Sequence, residues 1–331
     1  MKAAFLEEPQ KIVFKEIAIP EPNRGEVRVK LSKVGICGSD VHLFLGHRLL
    51  NKPTVIGHEG LGIIDKLGEG VNNRTVGEKV VIEPNIACNH CKHCLNGKGY
   101  ICSNKRVIGL LENGCFAEYV CVPADYCWVV PAEMDELDAV CIEPMAVGVH
   151  ALFTSSAKPG DTIAIIGLGA IGLLLNHLAL RLGYNVFVSE INQQKLQMAV
   201  EEGAIAANGD ADTLNKLWEE NDVSAVFECA GSAATASLVA AAAPRGSEIV
   251  LVGLSEKQAN FTPLKIAREG ISILPSIIYH HPTDFRRAIQ LIRNKTIQPH
   301  RIISSFSPFH DLQNALEKAA IGAESKIIIE I

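Results

Sequence analysis

The stretch IAIIGLGAIGLL constrains the fold of this chain more than any other segment of its sequence. A β-branched apolar run leads into three glycines with the spacing G-x-G-x-x-G, and an Ala/Leu-rich helical run follows. In this context the first glycine permits a tight turn, the second a close backbone approach to a pyrophosphate, and the third close packing of helix on strand. The glycines are Gly167, Gly169 and Gly172. They predict a dinucleotide-binding strand–helix unit.

An acidic residue at the end of the next strand-like run indicates which dinucleotide binds. Glu190 follows the last glycine by eighteen residues, in the place where an acid accepts hydrogen bonds from the adenosine ribose hydroxyls. Its charge would repel a 2′-phosphate, and neighbouring Ile191 and Asn192 carry no cation to hold one. We therefore predict NAD rather than NADP, with the N–H groups of Ala170 and Ile171 at the helix N terminus on the phosphate side.

A change in sequence texture near residue 146 predicts two domains. Single hydrophobic cores stop growing near ~250–300 residues, and this chain has 331. Before residue 146 the sequence contains short β-branched runs between turn residues, which are typical of an all-β domain. After it, apolar strands alternate with helical stretches, as in a doubly wound parallel sheet.

The alternation ends after Tyr279, which indicates that the chain returns to its first domain. An amphipathic helix around 284–294, another near 312–320 and a terminal strand KIIIEI do not extend the parallel pattern. We predict an α/β protein with a β-rich domain, a dinucleotide-binding domain and a return segment that completes the first domain. Their predicted ranges are 1–145, 146–282 and 283–331.

Charge and apolar content argue against several classes of protein. The net charge of −6 disfavours nucleic-acid binding, because such proteins usually carry a basic surface that releases counterions from the phosphates. The N terminus has no apolar run of signal-peptide length, and the most apolar segment, from Ile163 to Leu175, is too short to span a bilayer. We expect a cytoplasmic protein without a membrane segment.

Four of the ten cysteines lie within the fifteen residues CNHCKHCLNGKGYIC. A disulfide knot, a nucleic-acid-binding zinc finger and a metal site on an enzyme domain are all compatible with this spacing. A reducing cytosol makes the knot the weakest of the three, and the acidic net charge disfavours the finger. The four residues are Cys88, Cys91, Cys94 and Cys102.

A second set of metal-binding residue types lies outside this cluster, in the segments VGICGSDVH, IGHEG and CIEPMAVGVH. Cys37, His58 and Glu143 supply one thiolate, one imidazole and one carboxylate, which suits a zinc ion that keeps an open position for catalysis. Glu143 lies in an apolar stretch, where burial of an unpartnered carboxylate is costly. A bound metal would relieve that cost.

Taken together, these motifs resemble the zinc-dependent medium-chain dehydrogenase family, which includes the alcohol and sorbitol dehydrogenases. The resemblance rests on GICGSD-x-H, GHE, the four-cysteine string, GCFAEYV and GLGAIG, in this order along nearly the whole chain. It implies a GroES-like β-rich domain and a Rossmann domain, with the active site in the cleft between them. It also implies two zinc ions per chain and a homo-oligomer, either a dimer or a tetramer.

The resemblance also implies which residues bind the metals. Cys37 and His58 would bind the catalytic zinc, with Glu143 in place of the cysteine found in classical alcohol dehydrogenases, as in the polyol branch. Glu59 resembles a neighbouring glutamate able to exchange onto the metal. The four-cysteine string matches a closed structural zinc site. We expect the remaining cysteines to be small buried apolar residues: Cys115, Cys121, Cys127, Cys141 and Cys229.

Other polar residues receive roles through the same resemblance. Ser39 and His42 match proton-relay positions, and Asp40 resembles an acid that supports the metal ligands. Lys326 resembles a basic residue that reaches the cofactor phosphates.

The expected activity is oxidation of a secondary alcohol of a polyol, sugar alcohol or sugar acid by NAD, giving a ketone. The partner is therefore a small molecule and not a nucleic acid or a membrane. Threonine dehydrogenases share GHE and GCFAEY and are the nearest alternative, beside a general alcohol dehydrogenase. A zinc-free reductase of the same superfamily is a further alternative, but such proteins lack the cysteine string and the Cys/His/Glu set.

Overall fold

The computed structural model describes residues 1–331 and contains two compact units. The first unit comprises Met1–Glu143 and Gln298–Ile331, and the second comprises Pro144–Ile297. The chain leaves the first unit and later returns to it, and the return begins at Gln298 rather than at residue 283.

Helices and strands occur in the following order. In the first part of the first unit lie β1 (Lys2–Glu8), β2 (Lys11–Glu16), β3 (Glu26–Gly35), α1 (Gly38–Phe44), β4 (Thr54–Val55), β5 (Glu59–Leu67), β6 (Lys79–Ile82), β7 (Asn85–Ile86), α2 (Lys92–Leu95), β8 (Arg106–Val107), β9 (Tyr119–Pro123), β10 (Cys127–Val129) and α3 (Glu136–Val140). Then come α4 (Ile142–Thr154), β11 (Thr162–Ile166), α5 (Ala170–Arg181), β12 (Asn185–Ser189), α6 (Gln193–Glu201), β13 (Ile205–Ala206), α7 (Ala211–Glu220), β14 (Val223–Glu228), α8 (Ala233–Ala242), β15 (Glu248–Leu251), α9 (Pro263–Glu269), β16 (Ser272–Pro275) and α10 (Thr283–Arg293). The return segment contains β17 (Ser305–Pro308), α11 (Leu312–Ile321) and β18 (Ile327–Glu330).

The central strand of the first unit is β3, which lies in the sheet order β10-β6-β5-β3-β18-β17, with β9 also paired to β3. Its side chains Val27, Val29 and Leu31 are buried in the core of this unit. The register places Gly35, the last residue of β3, opposite Glu59 of β5 on one side and Ile328 of β18 on the other. Three segments that are distant in sequence therefore meet at the end of β3.

The second unit contains a six-stranded sheet in the order β13-β12-β11-β14-β15-β16. All of its strand pairs are parallel, as expected for buried Val/Ile-rich strands connected by helices. Successive strands run outward from β11 in one direction and from β14 in the other. The boundary between β11 and β14 is thus the switch point, where the carboxyl ends of parallel strands leave a crevice for a ligand.

Helix α10 packs within the second unit, which corrects the predicted start of the return segment. Asp284 of this helix is buried, and its carboxylate accepts a bond from the N–H of His280 at 2.7 Å and pairs with Nδ1 of His150 at 2.9 Å. Phe285 contacts Tyr279 ring to ring at 4.8 Å. The amphipathic pattern indicates a helix here but not the unit to which its apolar face belongs.

The helices of both units are too short or too polar to traverse a lipid bilayer. This holds for α5, which contains the second part of the apolar run from Ile163 to Leu175.

Candidate metal centres and dinucleotide site

The four cysteines of the CNHCKHCLNGKGYIC segment converge on one point. Their sulfur–sulfur distances are 3.5 Å for Cys91–Cys94, 3.8 Å for Cys91–Cys102 and 3.9 Å for Cys88–Cys94. Four sulfurs at ~2.3 Å from a tetrahedral zinc would be about 3.8 Å apart. These thiols therefore fit a closed four-thiolate zinc site, and all of the cysteines are free of disulfide bonds.

The local backbone explains this convergence. The short helix α2 begins directly after Cys91, and Asn89 and Gly97 adopt positive φ angles of 61° and 70° that turn the chain around the sulfurs. The helix has no buried residue, so apolar packing contributes little to holding this loop. A metal ion would supply the missing stabilisation.

The thiols of this cluster differ in acidity. An N–H bond from Cys94 lowers the pKa of the Cys91 thiol to about 6. Loss of solvation raises the pKa of the Cys94 thiol to about 12. One thiolate therefore forms readily, and a divalent cation is needed before all of the sulfurs lose their protons at neutral pH.

The other cysteines only partly follow the sequence-based expectation. Cys115, Cys127 and Cys141 are buried, as expected of small apolar residues. Cys121, in the middle of β9, and Cys229, directly after β14, are only partly buried. Their apolar assignment is corrected to this extent.

A second potential metal site lies at the end of β3. Ligand atoms of Cys37, His58 and Glu59 all lie within 4.8 Å of one another. Cys37 precedes α1, His58 precedes β5, and Glu59 begins β5 opposite Gly35. A thiolate, an imidazole and a carboxylate at this separation are a donor set that suits zinc.

Asp40 fixes the orientation of these donors. Its completely buried carboxylate accepts bonds from the N–H groups of Cys37 at 2.9 Å and Gly57 at 3.1 Å. The same carboxylate pairs with Nδ1 of His58 at 3.2 Å, which leaves Nε2 of that ring as the nitrogen available to a metal. Burial alone would lower the pKa of His58, but the charges of Asp40 and Cys37 raise it well above its ordinary value. The electrostatic potential around the imidazole is thus negative, which favours a bound cation.

The predicted relay residues lie on α1. The hydroxyl of Ser39 is 3.5 Å from Nε2 of His58, so it borders the position that a metal ion would occupy. His42 is exposed, and its Nδ1 is 3.1 Å from Nδ1 of His47. The sequence alone gives no reason to expect this second histidine to pair with His42.

Lys326 has a different place from the one inferred by resemblance. Its ammonium group is buried and donates to both carboxylate oxygens of Glu59 at 2.6 Å, and to the carbonyl oxygen of Ile36 at 3.1 Å. Burial would lower the pKa of Lys326, but the Glu59 charge raises it above its ordinary value. Lys326 therefore serves the metal-site carboxylate, and its position does not support a contact with cofactor phosphates.

Glu143 is buried in the first turn of α4 and lies outside the group formed by Cys37, His58 and Glu59. Burial raises the pKa of the Cys115 thiol to about 12, and the charges of His58 and Glu143 both act on this thiol. Glu143 is therefore in the same neighbourhood as the ligand group. Its role as a metal ligand remains a prediction.

The glycine motif in the second unit has the geometry that the sequence predicts for a tight turn and for close packing of α5 on β11. Gly167 has φ of +92°, and a Cβ at Gly172 would lie 2.0 Å from the carbonyl oxygen of Gly167. A Cβ at Gly169 would meet no atom within 4 Å, so the space in front of this residue is open to a ligand. Gly169 caps α5 without a side-chain bond, and the N–H groups of Ala170 and Ile171 begin the helix. The segment thus fits a pyrophosphate.

Glu190 follows β12 and supports this segment through its half-buried carboxylate. One oxygen accepts the N–H of Leu168 at 2.6 Å, and the other accepts the N–H of Asn192 at 2.8 Å. Each oxygen retains a lone pair for a ribose hydroxyl. Contact with a ribose remains a prediction.

Comparisons with known proteins identify the family of this chain. A model of the alcohol dehydrogenase GroES-like domain matches residues 23–132, and a model of the zinc-binding dehydrogenase domain matches residues 170–294. L-threonine 3-dehydrogenase of Bacillus subtilis (strain 168) is 31% identical to this chain, over 96% of this chain and 94% of its own length. The chain belongs to the zinc-type alcohol dehydrogenase family. Sorbitol dehydrogenase of the same organism is 28% identical, over 96% of this chain and 93% of its own length.

Solved structures of the family share the fold along the full chain. An alcohol dehydrogenase, RspB, from E. coli CFT073, complexed with NADH, is 30% identical with a TM-score of 0.93 and covers 100% of this chain and 99% of its own. A zinc-binding dehydrogenase from Sinorhizobium meliloti 1021, bound to NADP, is 31% identical with a TM-score of 0.92 and the same coverage. The family and the fold class predicted from the sequence are confirmed.

Proposed function

We propose that this protein oxidises a secondary alcohol of a polyol, sugar alcohol or sugar acid to a ketone, with NAD as hydride acceptor. One observation carries the proposal: ligand atoms of Cys37, His58 and Glu59 converge within 4.8 Å while Asp40 orients the imidazole. Family membership supports an alcohol as the substrate class, since the chain is similar to dehydrogenases of sorbitol and of L-threonine.

Cys37, His58 and Glu143 would hold a catalytic zinc ion, with Glu59 as the exchanging carboxylate. When bound, the zinc would polarise the alcohol oxygen as a Lewis acid, and NAD would accept the hydride. Lys326 keeps Glu59 paired, so exchange of this carboxylate onto a metal requires the ion pair to loosen. The four-cysteine site would hold a second zinc ion with a structural role.

Ser39 and His42 would conduct the alcohol proton away from this site. The Ser39 hydroxyl lies beside Nε2 of His58, where it can accept the proton and donate its own. His42 is exposed and paired with His47, so a proton that reaches its imidazole can pass to solvent. Histidine suits this step because its ordinary pKa is near neutrality.

The preference for NAD over NADP rests on the surroundings of Glu190. Its carboxylate would repel a 2′-phosphate, and the adjacent side chains of Ile191 and Asn192 carry no positive charge. Asn192 instead caps α6 by accepting the N–H groups of Gln194 and Lys195. The loop that would surround a 2′-phosphate thus supplies the carboxylate of Glu190 and the side-chain amide of Asn192, which caps α6.

L-Threonine is the second candidate substrate, because a 31% identical relative is an L-threonine 3-dehydrogenase. Polyols rank first because IEPMAVGVHA, which contains Glu143, resembles the polyol branch of the family.

The proposal is tested with purified zinc-loaded protein and a panel of polyols, sugar acids and hydroxy amino acids, each with NAD and with NADP. Formation of reduced cofactor is followed by absorbance, and Cys37→Ser is the matched control. We expect turnover with members of the polyol and sugar-acid sets and a preference for NAD. Turnover with L-threonine alone would establish the second candidate, and no turnover with any alcohol would refute the proposal.

A further inference from the structure

Two histidines at the end of α1 lie in direct contact on the surface of the first unit. Nδ1 of His42 is 3.1 Å from Nδ1 of His47, and the centres of the two rings are 5.4 Å apart. Both side chains are exposed. The proposed proton path ends at one exposed imidazole, so it does not by itself require a second one.

The way α1 ends explains this contact. Gly46 has φ of +75°, and its N–H bonds to the carbonyl oxygen of Leu43 at 3.0 Å. The N–H of His47 bonds to the carbonyl oxygen of His42, also at 3.0 Å. These two bonds form a Schellman motif, in which the side chains at the positions of His42 and His47 meet and are frequently apolar. Here two metal-binding side chains occupy these positions.

The turn is also fixed from outside the helix. A Cβ at Gly46 would lie 2.9 Å from Cγ of Pro9, and the N–H of Gln10 bonds to the carbonyl oxygen of Phe44 at 2.7 Å. The connection between β1 and β2 therefore packs against the end of α1. Because the backbone is already ordered on both sides of the pair, an ion that binds both rings orders little more than the rings themselves.

The separation of the two nitrogens is close to that of two imidazoles on one ion. Two nitrogens at ~2.0–2.1 Å from a tetrahedral zinc ion would be about 3.3 Å apart. Without an ion the nitrogens face each other, and one Nδ1 donates to the other. Exposed side chains reorient rapidly, so both lone pairs can turn toward one ion. Imidazole nitrogen suits zinc, copper and nickel, whereas magnesium and calcium prefer oxygen.

We propose that His42 and His47 form a further zinc-binding site, at which the two Nδ1 atoms and water molecules coordinate the ion. The consequence for turnover rests on the proposed proton path through His42. With an ion on Nδ1 of His42, Nε2 carries the hydrogen and the ring has no lone pair for another proton. Excess zinc therefore closes the exposed end of the path and inhibits the proposed oxidation.

Titration calorimetry with zinc chloride on the dialysed, zinc-loaded protein measures this binding without alcohol or NAD. We expect the wild type to bind an additional ion, and His47→Gln to weaken this binding by more than about tenfold. His310→Gln is the matched control, because it removes an exposed histidine outside the pair, and it should bind zinc like the wild type. No additional ion in the wild type, or equally tight binding by His47→Gln, would overturn the site.

Inhibition is measured with the best alcohol of the panel at increasing zinc concentration, each variant being compared with its own rate without added zinc. Half-inhibition of the wild type and of His310→Gln should occur near the calorimetric dissociation constant. His47→Gln should require more than about tenfold more zinc. Equal inhibition of His47→Gln would overturn the link to the proton path. Absence of turnover with every alcohol would refute the proposed function, and calorimetry would still decide the metal site.

Discussion

The two potential metal sites of the first unit that contain cysteine use different means to bring their ligands together. The four-cysteine site takes all of its donors from one short loop without a buried residue in its helix. The site of Cys37, His58 and Glu59 takes its donors from the N-terminal ends of α1 and β5, and the buried residues Asp40 and Lys326 hold them. The first arrangement depends on an ion for its own structure, whereas the second is organised by protein contacts.

This difference predicts different consequences of ligand loss. A loop that lacks apolar packing should lose its structure when its ion is removed. A site that is held by buried hydrogen bonds and an ion pair should keep its structure and lose its chemistry.

The largest effect is expected for Cys37→Ser. Loss of a metal ligand should lower turnover by more than about 100-fold, since even changes to residues behind the ligands cost 10–100-fold. Zinc analysis should show one ion lost per chain, while melting temperature and NAD affinity change little. Cys121→Ser, at a partly exposed cysteine outside both groups, is the control. Unchanged activity in Cys37→Ser would contradict the ligand assignment.

Lys326→Met should cause the second-largest effect, on stability. It leaves the carboxylate of Glu59 buried without its cation, which costs about 3–5 kcal/mol in the free energy of unfolding. Urea unfolding measures this change. The double variant Glu59→Gln/Lys326→Met should recover much of the loss, because no unpaired charge remains. If Lys326→Met alone is as stable as the wild type, the ion pair between Lys326 and Glu59 is not important for the stability of the fold.

Cys94→Ser should affect stability rather than chemistry. We expect a decrease in melting temperature of roughly 5–10 °C, with loss of the structural zinc ion and nearly normal turnover per folded molecule. Calorimetry, zinc analysis and active-site titration distinguish these quantities. Loss of turnover at an unchanged melting temperature would reverse the roles of the two sites.

Asp40→Asn should produce the smallest effect of the series. The amide keeps one acceptor oxygen but loses the negative charge that faces Nδ1 of His58, so zinc affinity at this site should fall by about 10–100-fold. Competition with a chelator measures the affinity, and the four-cysteine site serves as the internal control. Equal weakening at both sites would indicate a general loss of structure.

Local patterns in the sequence were sufficient to predict the parts of the molecule that short segments build. The glycine motif occupies six residues and the cysteine string fifteen, so their geometry depends on nearby backbone. The β-branched runs of the first unit and the alternating strands and helices of the second unit likewise indicated a β-rich unit and a parallel sheet, because side-chain periodicity is a local property.

Contacts between distant segments could not be predicted in this way. Lys326 and Glu59 are 267 positions apart, and neither residue type nor spacing indicates that they pair. The same applies to the assignment of α10 to the second unit and to the loop that Glu228 holds against Gly167.

The sequence by itself therefore determined the fold class, and it predicted the dinucleotide motif and candidate ligands for two zinc sites. Only the tertiary structure decided that Lys326 pairs with Glu59 and that Glu228 accepts bonds from Ala230, Gly231 and Thr235. The physical reason is that side-chain periodicity and motif geometry act over a few residues. The balance of buried charge depends on which distant strands pair and on the register in which they do so.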